Sequence, residues 1–112
     1  MGTSLVLTPG GDVREVTLPD SGRLHFMHRE MGCSRVDVVC LTSRLDMWID
    51  DFGIYTQPVN VAATALAQRY GKVYQPYHGS VLLCSMDEHG NSTNLTVEQV
   101  RGLLVTMLDA IP

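Results

Sequence analysis

Two segments of this chain, 35–42 and 79–85, are apolar on both faces of an extended strand. In the first, Val36, Val38 and Cys40 alternate with Asp37, Val39 and Leu41; in the second, Val81-Leu82-Leu83-Cys84 holds no charged or strongly polar position. A strand with two apolar faces is satisfied inside a sheet covered on both sides. Segment 35–42 is therefore expected at the centre of a sheet, with helices supplying the cover. Neither run approaches the roughly 20 residues of a membrane span.

The remaining elements follow from local signals. Leu5-Val6-Leu7 and 13–18 flank Pro9-Gly10-Gly11-Asp12, which predicts an N-terminal hairpin. Asp20 or Ser21 can cap a helix over 22–31, where Leu24, Met27, His28 and Met31 recur at helical spacing and Gly32 is a stop. Segments 45–49 and 53–56 flank Asp50-Asp51-Phe52 and predict a second hairpin. Asn60 is an N-cap for an alanine-rich helix over 61–70, closed by Gly71. Asp87-Glu88-His89-Gly90-Asn91 is a turn. Thr96 and Gln99 form a capping box for a last helix, with Leu95 and Val100 at the staple positions. Its apolar stripe reads Val97, Val100, Leu104, Met107, Leu108 and Ile111.

The predicted order is β-β-α-β-β-β-α-β-α. It implies an α+β fold: a mixed, largely antiparallel sheet of about five to six strands with three helices packed on it. At 112 residues the chain is expected to form a single globular domain, 1–112. Net charge is −4, which argues against a nucleic-acid binder held by phosphate contacts. The N-terminus leads straight into strand-like sequence without a charged leader, so a cytoplasmic location is expected. Cys33, Cys40 and Cys84 are odd in number and unspaced, as reduced thiols would be. Cys40 and Cys84 lie in apolar runs and read as small core residues.

Candidate sites are few. Asp46, Trp48 and Asp50 share one strand face by period two, with Asp51 adjacent. Two carboxylates beside an aromatic suit acid–base work or a cation, and equally suit a solvated hairpin face. His25 and His28 lie three apart on one helical face, without a third ligand at a recognised offset. Tyr70, Tyr74, Tyr77 and His78 with Gln75 make a polar-aromatic loop, which suits binding or packs onto its own sheet. No phosphate loop, dinucleotide fingerprint or nucleophile elbow occurs. No cofactor and no metal site is implied.

Leu45-Asp46-Met47-Trp48-Ile49-Asp50-Asp51, Pro58-Val59-Asn60-Val61-Ala62-Ala63-Thr64, Tyr70-Gly71 and Gly79-Ser80-Val81-Leu82-Leu83 together resemble domain-of-unknown-function family 3846. That family consists of small domains of actinobacteria, their plasmids and their bacteriophages. Asp87-Glu88-His89-Gly90 and the Leu95-Thr96 helix start fit its ending, so the resemblance covers about 35–111. It implies a setting rather than an activity. The leading expectation is a non-enzymatic accessory protein of a phage or mobile element that binds a host protein or a nucleotide-like signal molecule, with a counter-defence or host-takeover role. The expected binding residues are Asp46, Trp48, Asp50, Tyr74, Tyr77 and His78. One alternative is a small metal-dependent hydrolase or other enzyme using Asp46, Asp50 and His78. Another is a self-associating homodimer, joined through the tyrosine loop or the final helix.

Overall fold

A computed structural model describes residues 2–72 and 75–110. The chain runs β1 (Ser4–Leu7), β2 (Val13–Val16), α1 (Arg23–Met31), β3 (Val36–Thr42), β4 (Leu45–Asp50), α2 (Gly53–Thr56), α3 (Val61–Arg69), β5 (Val81–Met86), β6 (Ser92–Thr93) and α4 (Val97–Ala110). The strands form one sheet in the order β2-β1-β5-β4-β3, with β6 paired to β5. Every described pairing between these strands is antiparallel. The architecture is α+β with a six-stranded sheet, as the sequence implies.

Strand alternation sorts the core into two layers. Leu5, Leu7, Met47, Val81 and Leu83 face one side and pack with Leu66 of α3 and Leu103 of α4. Val6, Leu82, Cys84 and Trp48 face the other and pack with Met27 and Met31 of α1. β5 is buried over its first five residues, because β1 and β4 flank it and helices cover both its faces.

Four expectations are corrected. β3 is an edge strand rather than a central one: among the described residues it pairs with β4 alone, and Val38 and Val39 remain half-buried. Cys40 on it is exposed rather than in the core, whereas Cys84 is fully buried. Segment 53–56 is a single helical turn, so no second strand follows the Asp50-Asp51-Phe52 turn. The Asp50 carboxylate accepts from the Phe52 N–H at 2.9 Å, and the Gln57 N–H donates to the Gly53 carbonyl at 2.8 Å. α1 is not capped by Asp20 or Ser21. Gly22 occupies the cap position at φ 68°, in the left-handed region that glycine tolerates, without a side-chain cap.

The last helix begins as its capping box dictates. The Gln99 N–H donates to the Thr96 hydroxyl at 3.1 Å, and the Thr96 N–H donates to the Gln99 side-chain carbonyl at 2.9 Å. Its inward face is Val100, Leu103 and Met107. Leu103, absent from the expected stripe, is fully buried, while Val97, Leu104 and Leu108 of that stripe are exposed. Ile111 lies outside the described residues. Among the described residues, no helix is long and apolar enough to cross a membrane.

Candidate functional site

A cleft of about 700 Å³ opens between the C-terminal end of α1 and the segment joining β4 to α3. One wall is His28, Arg29, Gly32, Cys33 and Ser34; the other is Asp50, Phe52, Tyr55, Thr56 and Gln57. Local chemistry positions each wall. Gly32 ends α1 at φ 66°, and the Cys33 N–H returns to the His28 carbonyl at 3.0 Å, so the chain turns sharply and leaves Cys33 and Ser34 on the rim. The opposite wall is held by Gly53. A Cβ there would come 2.5 Å from the His78 carbonyl oxygen, so α2 can lie against the segment before β5 only because this residue has no side chain.

Beside the cleft, α2 presents Tyr55 at 80% exposure and Ile54 at 62%, with Phe52 at its start 41% exposed. The Phe52 and Tyr55 rings lie 6.4 Å apart between centroids, tilted by 47°. The Arg35 guanidinium stacks over the Phe52 ring at 4.6 Å and reaches Asp51 at 3.7 Å. This gives Phe52 a fixed, charged neighbour on one side. A ring clamped in this way is pre-organised for contact.

The cleft carries charges of both signs. His28 and Arg29 stand in the last turn of α1, where the helix dipole favours cations. Asp50 stands opposite. The Cys33 thiol is pushed up by burial and then by the Asp50 carboxylate, so it stays protonated at neutral pH and is a poor nucleophile. Among the described residues, no group of three or more His, Cys, Asp or Glu side chains is placed to hold a metal ion.

The residues singled out from sequence disperse over this frame. Asp50 lines the cleft. Asp46 is on the same strand face, but its α-carbon lies roughly 13 Å further along β4, at about 3.3 Å per residue, with Trp48 between. Asp46 is only 5% exposed, flanked by Cys40 on β3 and Cys84 on β5, rather than on a solvated face. Its Oδ1 is enclosed without a hydrogen-bond partner among the described residues. Trp48 packs into the α1 layer. Its Nε1 is enclosed without a hydrogen-bond partner among the described residues. Burial pushes the Cys84 thiol up to about 11.

His78 is half-buried on the back of the cleft wall. Its Nδ1 sits 2.9 Å from the Gln57 carbonyl oxygen, which only accepts, so the ring carries its proton on Nδ1. Tyr77 is in the core on the far side of the sheet, among residues of α3 and α4, and burial raises its phenol. Tyr74 lies outside the described residues. His25 is exposed on α1, and of the histidine pair only His28 reaches the cleft.

Phe52, Ile54, Tyr55, Arg29 and Cys33 were not among the expected site residues. An extended reading of 53–56 hides Ile54 and Tyr55, because it assigns them to opposite faces of a strand. The signal available was the density of apolar and aromatic residues directly after an Asp-Asp turn.

No curated protein and no solved structure matches the chain significantly. A family model described as domain of unknown function (DUF3846) matches residues 2–109, so the match also takes in the N-terminal hairpin and α1. The chain belongs to that family of domains of unknown function.

Proposed function

We propose that this chain is a non-enzymatic accessory protein of a bacteriophage or mobile element, and that it holds a host protein through α2 and the adjoining cleft. The observation that carries this reading is Tyr55, 80% exposed, beside Ile54 and the Arg35-stacked Phe52. Tyr and Arg are enriched among residues that dominate protein–protein affinity, and an exposed aromatic–aliphatic group rimmed by charges has that composition. A nucleotide-like ligand fits the cleft less well. Asp50 and the negative pole of α1 both face it, and both oppose a phosphate. The enzyme alternative is weaker still, because Asp46 is enclosed, Asp50 is distant from it, and His78 is tied to Gln57.

The test is retention of a partner from a lysate of the host bacterium by tagged protein, compared with Tyr55→Ala and Ile54→Ser. One stoichiometric protein is expected on the unaltered chain. Tyr55→Ala should weaken its hold by roughly 30-fold, the scale of a residue that dominates an interface. A partner held equally by all three proteins would place the interface elsewhere and overturn the reading.

A further inference from the structure

The outer face of α4 is built for something that the described fold does not supply. Leu108 is 72% exposed and Val105 58%, on a helix whose opposite face already packs on the core. Between them and Arg101 stands Gly102, exposed in the helix interior. Glycine is a poor residue there, since it weakens the helix relative to alanine. Its absent side chain serves no contact with the described residues: a Cβ at Gly102 would meet none of their atoms within 4 Å. Among the described residues, nothing fills that gap.

The charges say what body fits it. Arg101 and Asp109 are both exposed, and neither forms an ion pair with another described residue; Arg69 takes the Asp109 backbone carbonyl, not its carboxylate. They lie four residues to either side of Val105. Gly102 and Leu108 lie three residues to either side. Two such helices placed antiparallel about Val105 therefore bring Arg101 to Asp109 of the partner subunit, twice. The same placement seats each Leu108 over the gap at Gly102. The two ion pairs would stand roughly 12 Å apart along the helix, at about 1.5 Å per residue, closing both ends of the apolar contact.

We infer that the outer face of α4 docks a second copy of this chain as an antiparallel helix pair centred on Val105. The complementarity is self-directed, because the same five positions supply both the projections and the recesses, as a two-fold interface requires. This face is separate from α2, so the inference stands apart from the proposed host-protein contact.

Sedimentation of the whole chain from low concentration up to about 100 μM tests it, since a dimer of this kind appears by mass action. A monomer–dimer equilibrium is expected. Val105→Asp sets two carboxylates face to face and should raise the dissociation constant at least roughly tenfold, with circular dichroism confirming the fold. Arg101→Glu alone should weaken the dimer, and Arg101→Glu combined with Asp109→Lys should restore it. A chain monomeric throughout would overturn the inference, leaving the face to a different partner. A dimer untouched by Val105→Asp, or a double variant no better than the single one, would overturn it equally.

Discussion

The side-chain amide of Asn60 donates to the carbonyl oxygen of Leu7, 3.1 Å away and 53 positions distant along the chain. The same nitrogen donates to the Gly79 carbonyl at 2.9 Å, and the side-chain oxygen accepts from the Ala63 N–H at 3.0 Å. One fully buried side chain thus ends β1, leads into β5 and starts α3. Thr64 extends the junction, its hydroxyl donating to the Asn60 carbonyl and accepting from the Tyr77 N–H. The segment that backs the cleft, Tyr77 to Gly79, hangs from this junction.

Asn60→Ala removes a helix cap and leaves two buried carbonyls without a donor. Each such group costs about 1–3 kcal/mol and a cap about 1 kcal/mol, so a loss of ~3–7 kcal/mol is expected by denaturant unfolding. Asn60→Asp keeps the cap but cannot donate when ionised. It should be nearly as damaging at neutral pH and should recover part of the loss in mild acid, where the protonated carboxyl regains a donor.

Cys84 predicts an alkaline limb. Burial raises its folded pKa from 9.0 to about 11, so the folded state holds the proton more tightly than the unfolded one. The resulting stabilisation is complete below pH 9 and is lost as pH rises toward 11. That separation corresponds to ~3 kcal/mol. Tyr77, also raised by burial, adds in the same direction. Unfolding free energy measured from pH 8 to 11 should fall, and Cys84→Ala should flatten the slope while lowering stability at pH 8. An unchanged slope in that variant would assign the limb to Tyr77 or other groups.

Two glycines should respond oppositely to alanine. At Gly53 the new methyl meets the His78 carbonyl, a backbone atom that cannot step aside, and a loss of ~1–3 kcal/mol is expected. At Gly102 the methyl enters open space on a helix, and a gain of ~0.5–1 kcal/mol is expected in monomeric protein. Thermal unfolding of the two variants beside the unaltered chain checks both signs.

Tyr55→Ala should leave stability within about 0.5 kcal/mol, because the ring is mostly in water. A much larger loss would show that the ring supports the fold of α2, and would make the partner-retention experiment ambiguous without Ile54→Ser beside it.

The sequence by itself determined what depends on neighbours within about four residues. The Thr96–Gln99 box, the Asn60 cap, the Gly32 stop and the Asp87 turn are all read correctly from short patterns, because donor and acceptor lie in one turn of chain. The interleaving of strand and helix signals also implied correctly an α+β fold with helices packed on a largely antiparallel sheet. Strand rank was settled by which edges pair, and that placed β5 in the middle and β3 at the rim. The helical turn of α2 rests on a contact between Gly53 and a carbonyl 25 positions later, which no local propensity records. Asp46 is enclosed for the same reason: alternation told which residues share its face, but only the assembled sheet decided how deeply that face is buried. On α4, helical period found an apolar stripe, and packing against α3 and the sheet chose which part turns inward. Each of these was decided by contacts between segments far apart in sequence, where the free energy comes from burial rather than from local hydrogen bonds.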